Sequence, residues 1–217
     1  MTQQLTLFDV LMFEGEDSPK FKIMNFFVGL EEDRVRDAFG YSLVNVFFNE
    51  MTDYTSLYDL DAEERRIIGI RLQKTLEKHC KIPPGEICDF SIEGIEVEFK
   101  VVPEQTEKHS DPKLAAEGKR VPKSGKFNTG YVGPRQVDKH AVLGFYSEEG
   151  DLSHLDLGYC YLGSDSLNNS FNRDKKRSIT ACVINECLES NIIKRYTIER
   201  TNYLNKKYKK RNALQYN

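Results

Sequence analysis

The stretch that decides the fold is CDFSIEGIEVEFKV, residues 88–101, which carries Asp89, Glu93, Glu96, Glu98 and Lys100 inside an otherwise apolar run. Ile95, Val97, Phe99 and Val101 alternate with Glu96, Glu98 and Lys100, so one face of a strand is apolar and the other charged. Upstream, Cys88, Phe90 and Ile92 alternate with Asp89 and Ser91. Glu93-Gly94 between the runs predicts a two-residue hairpin turn, with glycine where a positive φ is cheapest. That turn sets Ile92 opposite Ile95, Ser91 opposite Glu96, Phe90 opposite Val97, Asp89 opposite Glu98 and Cys88 opposite Phe99. Apolar meets apolar throughout, and a slip of one residue would mix the faces.

The same register brings two acids together. Directly opposed Cβ atoms lie about 4.5–5.5 Å apart, where like charges repel. Two carboxylates so placed need a proton, a cation or abundant solvent. Mg²⁺ suits a site of one or two carboxylates completed by water and phosphate. Asp89 and Glu98 are therefore the candidate metal ligands, and Lys100, two residues on along the same face, can steady a water or offset phosphate charge. A solvated hairpin face that alternates acids and lysines for solubility is the competing reading.

Working outward, residues 61–80 predict a helix. Asp61 and Glu64 make a D-x-x-E start, Ile68, Leu72 and Leu76 recur every fourth residue, and Pro83-Pro84-Gly85 follows. Residues 31–51 carry a second helical period. The stretch 103–136 is long and polar, with seven lysines and arginines, and predicts a functional or irregular insertion. Residues 140–147 and 154–162 predict strands. FNRDKKRS is a charged loop leading into a helix at SITACVINECLES, and a basic segment from about 194 to 217 closes the chain. Helices flanking strands predict a mixed α/β class, with one domain over 1–217.

The net charge of −3 is unevenly spread. Residues 1–70 hold 6 basic and 14 acidic residues, a sum of −8, whereas Lys194–Asn217 hold eight basic residues and one acid. A basic end on an acidic chain points to a polyanion partner. No apolar run has the roughly 18–20 residues of a membrane helix, and the first residues lack the basic and apolar regions of a secretory signal. The expected compartment is the cytoplasm, without membrane association. The five cysteines form no CxxC pair and read as reduced small hydrophobes.

D-x8-E-x-K on a hairpin, after a helix bearing a glutamate, resembles the PD-(D/E)xK nuclease superfamily. DFSIEGIEVEFK is similar to the catalytic segment of the NaeI-type restriction endonucleases, and FNRDKKRSIT, residues 171–180, resembles that family's N-R-D-x-K-R-[TS] stretch. GYVGP, residues 130–134, corresponds to a glycine- and proline-containing segment between the two. The MutH/Sau3AI group is a less close match; it would make Glu96 and Glu98 the next catalytic positions, so Glu96 is the runner-up metal ligand. The resemblance implies a restriction-endonuclease-like core, a mixed central β-sheet flanked by helices. It implies a type II restriction endonuclease, acting as a homodimer, that hydrolyses double-stranded DNA with Mg²⁺. Asp89, Glu98, Lys100 and the helix glutamate Glu77 would be catalytic, Glu64 having a capping role to fill. Asn172, Arg173, Lys175, Lys176 and Arg177 would contact DNA. The alternatives are a repair-type nicking endonuclease and a noncatalytic DNA-binding protein.

Overall fold

A computed structural model of the chain describes residues 15, 17–47, 60, 62–104 and 130–203, the side chains of 45–47 and 62–65 excepted. The central hairpin has the expected register, with Phe90 opposite Val97, Ser91 opposite Glu96 and Ile92 opposite Ile95, between β1 (Phe90–Ile92) and β2 (Ile95–Pro103). Both turn residues take positive φ, +51° at Glu93 and +80° at Gly94, the combination that matches the twist of the flanking strands. β1 is shorter than expected. Cys88 and Asp89 leave the ladder for a bend, in which Ser91 N–H donates to the Pro83 carbonyl at 2.9 Å.

β2 runs parallel to β4 (His140–Glu149), which pairs antiparallel with β5 (Leu152–Tyr161), and β5 pairs antiparallel with β8 (Ile192–Glu199). The five-stranded sheet is therefore mixed, in the order β1-β2-β4-β5-β8. A parallel neighbour requires a crossover, and the chain between β2 and β4 makes it. β4 is central, and Ala141–Ser147 are all buried, as expected for a strand covered on both faces.

One face of the sheet packs on three helices: α1 (Pro19–Val28), α2 (Glu32–Phe47) and α3 (Ala62–Cys80). Ile23, Met24 and Phe27 of α1, Val35, Phe39 and Leu43 of α2, and Ile68, Leu72 and Leu76 of α3 meet Phe90, Val97, Phe99, Val142, Leu157 and Tyr196 in one core. The fourfold spacing in α3 thus faces inward, as its sequence predicts. Asp61 and the Glu64 side chain, the proposed helix start, lie outside the described residues. The opposite face, through Val102, Ala141, Leu143 and Phe145, packs on a second core. That core is built from α4 (Ala181–Ser190) and a three-stranded sheet of β3 (Tyr131–Val132), β7 (Arg177–Ile179) and β6 (Leu167–Phe171). Thr180 caps α4, its hydroxyl accepting from Val183 N–H at 3.4 Å.

Two segments depart from the sequence reading. The ends of the polar stretch 103–136 belong to the fold: Pro103 closes β2, and 130–136 form β3 and a single 3₁₀ turn, Pro134–Gln136. Residues 105–129 lie outside the described residues. The basic segment beginning at 194 opens inside strand β8. Its cations are paired within the protein: Lys194 with Glu32 at 3.1 Å, Arg195 with Asp156 at 2.6 and 2.8 Å, and, just beyond the strand, Arg200 with Glu148 at 3.1 Å. Lys206, Lys207, Lys209, Lys210 and Arg211 lie outside the described residues.

Candidate active site

Alternation along β2 sends Val97, Phe99 and Val101 toward the three-helix core and Glu96, Glu98, Lys100 and Val102 toward the other face. Glu98 has no solvent exposure. Its Oε1 accepts from Gln136 Nε2 at 2.6 Å and pairs with Lys100 Nζ. Its Oε2 is buried with no hydrogen-bond donor.

Asp89, on the bend before β1, comes up beside Glu98. Its Oδ2 accepts the Phe99 N–H at 2.8 Å, a donor that a continued ladder would give to a backbone carbonyl. Burial raises the pKa of Glu98, and the charge of the Asp89 carboxylate raises it further; Lys100 works in the opposite direction. With both ionised, the pair consists of acceptors alone, one with a buried oxygen that nothing satisfies, and such an oxygen is costly. A divalent cation relieves this arrangement without a proton, and oxygen donors of this kind fit Mg²⁺. Among the described residues no group of three or more His, Cys, Asp or Glu side chains converges, so a metal here would rely on two carboxylates, with water and substrate completing its shell.

Glu96 does different work. Its Oε1 accepts from Glu86 N–H at 3.0 Å, and its Oε2 accepts from Ile87 N–H at 2.9 Å and Cys88 N–H at 2.7 Å. The Cys88 and Glu86 amides lead in holding its pKa below the usual glutamate value. The side chain ties down the loop that delivers Asp89. Gly85 permits the loop to close: a Cβ there would lie 2.5 Å from the Cys88 carbonyl oxygen and 2.8 Å from Glu96 Oε2.

Glu77 is not brought to the pair. Helix α3 packs on the opposite face of β2, where a Cβ on Gly69 would lie 3.4 Å from Val101 Cβ. The Glu77 carboxylate accepts from Gln73 Nε2 at 3.0 Å, one turn back. Gln136 is the residue that the sequence did not disclose. It sits 38 positions from Glu98, in no motif with it. Its own carbonyl accepts Gly133 N–H at 2.8 Å and so aims the amide at Glu98.

The five residues assigned to DNA contact separate by geometry. Asn172–Lys176 form the tip of the β6–β7 hairpin. Asn172 Oδ1 accepts from Asp174 N–H at 3.0 Å and Lys176 N–H at 2.8 Å, which builds the turn. Arg177 donates to the carbonyls of Asn168, Leu167 and Ser164 at 2.7, 2.8 and 3.1 Å. Arg173, Lys175 and Lys176 remain exposed. The hairpin's base lies next to Lys100, since a Cβ on Gly130 would stand 3.8 Å from Lys100 Cβ and the Gly130 carbonyl accepts Ile179 N–H at 2.8 Å.

A cleft of about 480 Å³, lined by Ser18, Lys20, His140, Tyr159, Tyr161 and Glu186 among others, shares no residue with the Asp89–Glu98 pair. No helix among the described residues is long and apolar enough to cross a membrane. No protein-family model and no curated protein sequence matches the chain.

Proposed function

We propose that the chain is a type II restriction endonuclease that hydrolyses phosphodiester bonds of double-stranded DNA with Mg²⁺, on a restriction-endonuclease-like core, as a cytoplasmic homodimer. The observation that carries this reading is the buried, undonated Oε2 of Glu98 beside the Asp89 carboxylate. The mixed sheet with helices on both faces and the Asp89–Glu98–Lys100 hairpin support it.

Asp89 and Glu98 would hold Mg²⁺, which supplies a lower pKa for a bound water and counter-charge for the scissile phosphate. Gln136 and Lys100 hold Oε1 of Glu98, so that Oε2 is the oxygen presented. Lys100 steadies the attacking water and adds positive charge where the phosphate gains negative charge. Glu96 keeps the loop before Asp89 in place. Arg173, Lys175 and Lys176 engage phosphates, which orients the duplex without reading its sequence.

Plasmid DNA incubated with the purified protein tests the reading, once with Mg²⁺ and once with EDTA. Discrete fragments that appear only with Mg²⁺ support it. Nicked circles would mean a nicking endonuclease, and retarded but intact DNA a noncatalytic binder.

A further inference from the structure

Phe171, the last residue of β6, is 64% exposed, more than any other large hydrophobic among the described residues. An aromatic ring in water forgoes much of the stabilisation its burial would give. It borders a cleft of about 320 Å³ whose other walls are Val132, Pro134, Val137, Lys175 and Arg177, a volume in the range of small-ligand sites. The walls combine four apolar residues with two cationic ones.

The cleft is held in shape before anything enters it. Arg177 is fixed by three backbone carbonyls and Asn172 by two backbone amides. Lys175 adopts φ +57° to close the tip. Lys175 lines it, and Arg173 and Lys176 are exposed on the same hairpin tip, with Asp174, 3.8 Å from Arg173, as the acid of the turn. The wall at Pro134 leads directly to Gln136 and, through it, to Glu98. The cleft therefore lies on the same side of the five-stranded sheet as Glu98.

An apolar, ring-bearing slot edged by cations suits a planar base attached to a polyanion. We propose that the cleft beside Phe171 receives a single nucleobase turned out of the DNA duplex, stacked on the Phe171 ring, while Arg173, Lys175 and Lys176 hold the adjoining phosphates. Base–aromatic stacking tolerates any base and contributes substantially to affinity, and extrusion is the means by which a protein reaches a base that the stack hides. The proposal rests on the reading of duplex DNA as the substrate and adds a second binding site to it.

The chain contains no tryptophan, so Phe171→Trp installs a single indole emitter in the cleft. The variant is titrated in EDTA with a short mixed-sequence duplex, with binding followed independently by the anisotropy of labelled DNA, and again with heparin. The expected result is strong quenching by DNA in step with binding and little change with heparin. Phe171→Ala should bind DNA about tenfold more weakly, and Phe171→Trp should restore affinity. Full binding by anisotropy with silent emission, equal quenching by heparin, unchanged affinity of Phe171→Ala, or no binding would each overturn the proposal. Wild-type plasmid cutting is scored separately. Cutting by the wild type together with silent emission from the Phe171→Trp variant sinks the base cleft alone, and quenching without cutting sinks the nuclease reading alone.

Discussion

The Phe99 backbone N–H donates to Asp89 Oδ2 at 2.8 Å, so the residue that follows Glu98 fixes the acid that opposes it. The two carboxylates are held together by the main chain, against their mutual repulsion. Asp89→Asn separates the structural cost from the chemical use. An asparagine oxygen still accepts the Phe99 N–H, and the negative charge next to Glu98 is gone. Unfolding by denaturant should show stability unchanged or raised by up to about 1 kcal/mol, while the rate of plasmid cutting falls about 10²–10³-fold or more. Cutting at the wild-type rate would remove Asp89 from the site.

Glu96 contributes stability with a definite pH dependence. Its folded pKa is depressed by the amides of Cys88, Glu86 and Ile87. A depressed acid stabilises the fold above its unfolded pKa and loses that contribution as pH falls through the folded value. Stability measured on the acid side of the ordinary glutamate range should therefore decline more steeply in the wild type than in Glu96→Gln. The same substitution sets an amide NH₂ among backbone donors, loosens the loop before Asp89, and should lower cutting about 10–100-fold. Parallel pH–stability curves would mean that the three amides do not depend on this charge.

Arg177 and Lys176 are neighbours with different predicted fates. Arg177 satisfies three carbonyls of the β6–β7 region. Arg177→Ala leaves these acceptors without their donor and should cost about 1–3 kcal/mol. Lys176 is exposed at the tip, and Lys176→Ala should leave stability within about 0.5 kcal/mol. It should instead weaken DNA binding evenly across sequences and reduce the salt slope by about one counterion. Thermal melts and salt-dependent titrations of the two variants check both halves.

The hairpin was legible because its constraint is local: the alternation of apolar residues and one glycine turn allow a single register from Phe90 to Val97, whereas Asp89 reaches Glu98 from a bend outside that ladder. β8 was concealed by its charge. Ile193, Tyr196 and Ile198 are buried in the manner of a strand, but Lys194 and Arg195 between them read as a basic tail, and only the fold shows Glu32 and Asp156 waiting as partners. Helix α1 was not read from the sequence; the fold shows Ser18 as its cap, accepting Phe21 N–H at 3.1 Å, with Pro19 in the first turn. Gln136 left no sequence signal, because its relation to Glu98 exists only after the crossover has brought β3 and its turn back over β2.

That contrast can be put to measurement with Gln136 and Glu77. The family resemblance implies Glu77 as the third catalytic acid, but α3 lies across the sheet and Glu77 meets Gln73 of its own helix. Gln136 touches Glu98 directly at 2.6 Å. Removing a group that orients a metal-binding side chain typically costs about 10–100-fold in metal affinity, so Gln136→Ala should raise the Mg²⁺ concentration for half-maximal cutting by about that factor. Gln136→Glu would place a third carboxylate against Glu98 and should be destabilised in the absence of metal, with the deficit reduced as Mg²⁺ is added. Glu77→Ala, an exchange on a partly exposed helix face, should leave the Mg²⁺ requirement unchanged and stability within about 0.5 kcal/mol. The Mg²⁺ titrations decide between the two residues: a shift confined to Glu77→Ala would return that glutamate to the site and reduce Gln136 to a loop contact.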